Sequence, residues 1–221
     1  MLASKLIAYA AMDKGMDVRT SETIGMAQRG GSVVSHVRMG EDIHSPMIPK
    51  GSADVIMAFE PAEAVRCLPY LKEGGVAVVN RKAMQPVTAT LGGGGYDGEA
   101  MIAYLKKHVH QLYVIDGEAI CQKAGSPKVL NVALLGVALG SKVLDIQMED
   151  MKAELARRVK PQYAKMNVLA LELGADDFIA KPHLMQSLSK RIQKSALFYA
   201  SAGVALARQG EAPAEAMKRL D

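Results

Sequence analysis

The sequence predicts an α/β protein: a three-layer, Rossmann-like, mostly parallel sheet flanked by helices, with a helical C-terminal extension. Three observations carry this expectation. Between residues 16 and 116, short apolar runs alternate with helical periodicity, as strands joined by crossover helices do. Two of the runs, "DVIMAF" and "VAVVN", are apolar throughout, which suits strands covered on both faces. From Pro127 onward the pattern turns helical.

The elements follow in order. "LASKLIAYAAMDKG" repeats apolar residues at Leu2, Leu6, Ile7 and Ala10–Ala11 and stops at Gly15, the signature of an amphipathic helix. "MDVRTSE" reads as a short strand. "GSVVSHVRM" reads as a second, and its alternation puts Val33, Ser35, Val37 and Met39 on one face. Ser32, Val34, His36 and Arg38 fall on the other, directing two polar groups toward solvent, a ligand or a partner. "SADVIMAFEPAEAVRCLPYLKEGGVAVVN" is a strand–helix–strand unit. Glu60 and Pro61 open its helix, where an acid and a first-turn proline are favoured, and Gly74–Gly75 close the connection. "LGGGGYDG" is a glycine loop before another helix and the strand "QLYVID". "PKVLNVALLGVALGSKVL" is apolar on nearly every side and predicts a buried helix. Two helices separated at Pro161 follow. Asp176–Asp177 fall after Gly174, in an expected turn or cap. "HLMQSLSKRIQKSALFYASAGVALARQG" predicts one long amphipathic helix. The expected division is a domain over 1–177 and a helical extension over 178–221.

Composition narrows the function classes. The 221 residues are 49% hydrophobic and 23% charged, with 14 methionines, three phenylalanines and no tryptophan. Aliphatic residues and methionine must therefore build the core. The net charge of +4 is dispersed, and basic residues are not interleaved with aromatics, which argues against nucleic-acid binding. The chain has no apolar run of about 18 residues, so no membrane span is expected, and the N-terminus is too polar for a secretory signal. Two distant cysteines, Cys67 and Cys121, cannot supply the four thiolates of an iron–sulfur cluster or a usual structural zinc site. A reducing cytoplasm is the simpler setting.

The candidate chemistry is sparse. "AQRGG" is its most suggestive stretch. Paired glycines permit positive φ, so that successive N–H groups converge on an anion, and Arg29 adds a fork of donors. The alternative is a tight turn with an exposed arginine. "LGGGGYDG" offers the same pair of readings, a phosphate cradle or plain loop, and lacks the Lys-Ser/Thr of a phosphate-binding loop. His108 and His110 fall near a helix end, where positions two apart face away from each other, so no metal site is expected. Neither a Ser–His–Asp nor a Cys–His arrangement is legible.

"SETIGMAQRGGSVVSHVRMG" resembles a signature of the 2-oxoacid:ferredoxin oxidoreductases, and specifically their gamma-type subunit or domain, which in the indolepyruvate type is the small (beta) subunit. "SADVIMAFEPAEAVRCLPYLKEGGVAVVN", "KVLNVALLGVALG" and "RRVKPQYAKMNVLALELG" are similar to further family segments in order and spacing, so the resemblance spans about residues 2–175. It implies an accessory subunit, without a catalytic residue of its own, that works with a large catalytic (alpha) subunit as a hetero-oligomer. The complex would use thiamine diphosphate, Mg2+, 4Fe–4S clusters and coenzyme A through that partner, with ferredoxin as electron acceptor. The implied reaction is oxidative decarboxylation of indolepyruvate or another arylpyruvate to aryl-acetyl-coenzyme A. Pyruvate, branched-chain 2-oxoacids and 2-oxoglutarate are the alternatives within the family, and a stand-alone nucleotide or acyl-coenzyme A binding protein is the alternative outside it. The residues expected to contact substrate, coenzyme A or the partner's active site are Gln28, Arg29, Gly30, Gly31, Ser32, His36 and Arg38. One departure is clear: members usually carry a strand and a Gly-x-Gly-Gly-Gln-Gly loop before "LASKLIAYAA", and Met1 stands where that loop ends. Either the chain lacks its first strand or its start is assigned late.

Overall fold

The computed structural model describes residues 2–23, 33–84, 97–179, 194–200 and 203–207. Helix α1 (Leu2–Asp13) leads through Gly15, at φ 75°, into the antiparallel ribbon of β1 (Asp17–Thr23) and β2 (Val33–Gly40). Strand β3 (Ala53–Ala58), helix α2 (Pro61–Cys67) and strand β4 (Leu71–Asn80) form the expected crossover unit, with β3 and β4 parallel. Helix α3 (Gly98–His108) and strand β5 (Gln111–Ile115) extend the parallel part by one strand. Helices α4 (Gly117–Ala124), α5 (Leu130–Gly140), α6 (Met148–Arg158) and α7 (Pro161–Ile179) follow. Strands β6 (Lys194–Ala200) and β7 (Gly203–Ala207) complete a seven-stranded sheet of order β1-β2-β6-β7-β3-β4-β5.

Local chemistry explains the boundaries. Pro61 occupies the first turn of α2, where its missing N–H costs nothing. Asp97 Oδ1 accepts from the backbone N–H groups of Glu99 and Ala100 at 3.0 and 3.1 Å, capping α3. Asp116 caps α4 through Ala119 N–H, and Gly125, at φ 86°, ends that helix in the left-handed conformation.

The sheet separates two apolar layers. One face packs Val37, Met39, Val55, Met57, Val76 and Val78 against α1, α5 and the helices beyond. The other packs Ile56, Ala58, Ala77 and Val79 against α2 and α3. The three-layer α/β expectation therefore holds, and the C-terminal part is helical through Ile179.

Two expectations are corrected. Asp176–Asp177 do not lie in a turn, because α7 runs on past Gly174 to Ile179. Gly174 serves close packing instead: a Cβ there would stand 3.0 Å from the backbone carbonyl carbon of Ala133 on α5. Nor is 183–210 one helix, since 194–200 and 203–207 are strands. Among the described residues β2 and β3 do not pair with each other; β6 lies antiparallel to β2 and parallel to β3. The open backbone ladders on either side favour a strand there, and "ALFYA" is a short continuous apolar run suited to that place.

Candidate functional site

Strands β3, β4 and β5 all end at one edge of the sheet, where ligands collect in open α/β folds. The pairing directions also bring the end of β1 and the start of β2 to this edge. Thr23 pairs with Val34, so the connection over 24–32 springs from it. Gln28, Arg29, Gly30, Gly31 and Ser32 belong to that connection and lie outside the described residues, as does most of the glycine loop.

Beside this stem, Glu22 on β1 faces Ser35 on β2 and the first turn of α1. Its Oε1 accepts from the Ser4 hydroxyl at 3.1 Å and from the Ser35 hydroxyl at 3.4 Å. Both serines are buried. A carboxylate at a helix N-terminus gains from the free N–H groups of the first turn. Across the edge, the Asn80 side chain ends β4. It donates through Nδ2 to the Phe59 carbonyl and accepts through Oδ1 from Gly117 N–H, both at 3.1 Å. One buried amide thus ties the exits of β3 and β4 to the start of α4. A Cβ on Gly117 would approach Asn80 Oδ1 to 2.7 Å, so the close approach requires glycine. Arg81–Glu99 and Lys82–Glu118 ion pairs fasten the rim.

His36 and Arg38 share a face of β2, as their alternation predicts, but that face is not open. His36 is 3% exposed and Arg38 is 8% exposed, beneath residues 45–48. His36 Nδ1 accepts from Ile48 N–H at 3.3 Å, and its ring meets Tyr70 edge-on with centroids 6.0 Å apart. This bond places the proton of the neutral ring on Nε2. Burial pushes the imidazole down to about 4. Arg38 Nη1 donates to the carbonyls of Ser45 and Met47 at 3.0 and 3.2 Å. Among the described residues its buried Nε has no partner, and burial lowers its basicity from the usual arginine value. The two side chains hold a loop down instead of facing solvent.

Sequence reasoning missed Ser4, Glu22, Ser35, Asn80 and Gly117. The facing of Glu22 and Ser35 depends on strand register, which no single stretch reveals, and Asn80 announces itself only as a polar residue ending an apolar strand. Among the described residues no three His, Cys, Asp or Glu side chains gather as metal ligands. Cys67 and Cys121 are buried and not joined in a disulfide, and burial raises the Cys121 thiol. Two thiolates on separate elements do not fit an iron–sulfur cluster. The described part of this edge is a positioning frame: carboxylate, hydroxyl and amide groups fix the roots of connections.

The sequence matches the family Pyruvate ferredoxin/flavodoxin oxidoreductase over residues 1–176. It is 35% identical over 181 residues to indolepyruvate oxidoreductase subunit IorB of Archaeoglobus fulgidus, covering 81% of this chain and 90% of the relative. It is also 35% identical to the subunit of the same name from Thermococcus kodakarensis, covering 79% and 87%. The fold is shared with the gamma subunit of a keto/oxoacid ferredoxin oxidoreductase from Geobacter sulfurreducens, with TM-score 0.56, 21% identity and coverage of 81% and 91%. Pyruvate oxidoreductase subunit PORC of Thermotoga maritima is similar at TM-score 0.58 and 18% identity, covering 79% and 87%. No helix among the described residues is long and apolar enough to cross a membrane.

Proposed function

Because this chain belongs to the pyruvate ferredoxin/flavodoxin oxidoreductase family, we propose that it is the small subunit of a cytoplasmic 2-oxoacid:ferredoxin oxidoreductase of the indolepyruvate type. The observation that carries this reading is the 35% identity with IorB subunits over most of both chains. The reaction joins an arylpyruvate, coenzyme A and two oxidised ferredoxins to give aryl-acetyl-coenzyme A, carbon dioxide, a proton and two reduced ferredoxins. Thiamine diphosphate with Mg2+, and the 4Fe–4S clusters, belong in this reading to the large catalytic subunit. When bound there, they supply the carbanion chemistry and the path for electrons.

This chain's own part is positioning. The 24–32 connection meets the large subunit at the carboxyl edge of the sheet. In this reading Arg29 receives an anionic group, a substrate carboxylate or a coenzyme A phosphate, and Gly30 and Gly31 offer it backbone N–H donors. Gln28 and Ser32 flank it with neutral donors. Glu22, Ser4 and Ser35 brace its root, while His36 and Arg38 support it by holding residues 45–48 against the same strand. The proposed family domain over 1–177 does not close on itself: α7 crosses that boundary to Ile179, and two strands of the 178–221 segment lie within the domain's sheet.

The test is anaerobic co-expression with the large subunit, followed by viologen reduction dependent on arylpyruvate and coenzyme A. Arg29→Ala is expected to raise KM for one anionic reactant while the complex still assembles. Arg29→Ala kinetics and assembly identical to wild type would overturn its role. A complex that prefers pyruvate, a branched-chain 2-oxoacid or 2-oxoglutarate would keep the family and replace the substrate.

A further inference from the structure

We infer that a second copy of this chain pairs with β1, antiparallel about a two-fold axis at Val18, so that the two sheets join at this edge. β1 is the end strand of the sheet and pairs with β2 alone among the described residues. Its outer row of N–H and C=O groups is therefore open to a further strand. It runs from Asp17 to Thr23 without a proline and in unbroken register with β2, so neither device that commonly blunts an edge interrupts it. An open edge alone does not say what covers it; the residues of β1 decide that.

Asp17 and Arg19 lie two positions apart on the strand, so they share a face, and both are exposed. Neither takes part in an ion pair among the described residues, and the Arg19 guanidinium donates to the carbonyl of Val18 at 3.0 Å. When an antiparallel pair of identical strands is centred on residue 18, residue 17 of each stands opposite residue 19 of the other. Each Arg19 then faces Asp17 of the second copy, and one symmetry operation makes two such pairs. Other centres lose this. Pairing centred on Asp17 or on Arg19 opposes like charges. Pairing centred on Thr20 sets Asp17 against Thr23 and Val18 against the Glu22 carboxylate. The charge pattern thus selects both the register and a second copy as the occupant. The opposite face of β1 agrees. There Val18 and Thr20, with Ala8, Tyr9 and Met12 of α1, line a groove of about 410 Å3. Pairing about Val18 sets that side chain against its own copy and joins the two grooves at one seam. It covers apolar surface that Met12, 55% exposed, leaves to solvent in the single chain.

The contact needs no large subunit, so its test is separate from that of the subunit reading. Sedimentation velocity over a dilution series is measured on the full chain as wild type, Asp17→Arg, Arg19→Asp and the double reversal. Wild type is expected to form a reversible dimer. Each single reversal sets like charges opposite each other twice and is expected to weaken the dimer about tenfold. The double reversal restores both pairs and most of the affinity. Because both positions are exposed, all variants are expected to keep the wild-type Tm when monomeric. Deuterium exchange on wild type gives a readout without substitution: β1 amides should exchange more slowly as concentration rises. A wild-type chain that stays monomeric throughout would overturn the inference. So would a dimer indifferent to the single reversals, a double reversal that fails to restore it, or β1 exchange independent of concentration.

Discussion

Acid should destabilise this protein through one identifiable group. His36 is 3% exposed, and its Nδ1 already accepts from Ile48 N–H, so a second proton there would set two donors against each other. Burial accordingly lowers its folded pKa to about 4 from an ordinary 6.5. In the unfolded chain the imidazole takes up its proton near the ordinary value. The unfolded state therefore binds more protons between the two values, and stability falls as pH falls through that window. The contribution is fully present above pH 6.5 and is lost by about pH 4. Each pKa unit is worth ~1.4 kcal/mol, which makes the loss ~3 kcal/mol. Urea unfolding measured at intervals from pH 7 to pH 4, for wild type and His36→Asn, checks this. The asparagine variant is less stable at neutral pH, but it lacks the additional acid slope. Parallel pH profiles for the two proteins would refute the reasoning, because carboxylates elsewhere titrate equally in both.

Three further outcomes follow from packing and connectivity. Gly136→Ala places a Cβ 2.9 Å from the backbone carbonyl carbon of Leu171, and Gly174→Ala does the same to Ala133 at 3.0 Å, so each should cost about 1–3 kcal/mol in urea unfolding. The double variant should cost less than the sum, since separating α5 from α7 for one methyl makes room for the other; strict additivity would contradict this. Asn80→Ala strands the Phe59 carbonyl and Gly117 N–H and should cost about 2–4 kcal/mol, seen as a lower Tm. Ending the chain after Ile179 removes both strands between β2 and β3 and should leave the β2 and β3 amides exchanging much faster with deuterium. Unchanged protection would show that the ribbon and the parallel strands hold together without them.

The legible parts of the fold are those where side-chain pattern and local backbone need coincide. Pro61 and the two apolar runs around it mark the β3–α2–β4 unit because each signal acts within a few residues. The alternation of β2 puts Val37 and Met39 on one face and Val34, His36 and Arg38 on the other, as observed. What it cannot show is that residues 45–48 cover the polar face, since the bonds that hold them use backbone groups of Ser45, Met47 and Ile48 that any sequence would carry. Gly174 misleads for a related reason. Glycine serves equally to stop a helix and to let two helices touch, and only the presence of α5 decides between them. The 183–210 stretch reads as one amphipathic helix, but its continuous apolar run "ALFYA" fits a strand equally, and the open ladders of β2 and β3 decide between them. Five of the seven proposed contact residues, Gln28 to Ser32, lie outside the described residues, so at that point the structure speaks to the root and the sequence to the tip.

The division of labour at the root argues for which kinetic constant each residue controls. Asn80 bonds to Phe59 and Gly117, His36 to Ile48, and Arg38 to Ser45 and Met47. These bonds are directed at backbone, and they fix connections relative to the sheet. Groups of that kind neither donate to nor accept from a reacting atom; they set the pose in which other groups do. A change at Asn80 or His36 should therefore act on the binding of partner or anionic reactant and on stability, moving KM and complex affinity together. A change confined to kcat, with assembly and KM intact, would require a group in contact with the reacting atoms. The described residues offer no nucleophile paired with a base for that role, and the proposed large subunit is where such groups belong.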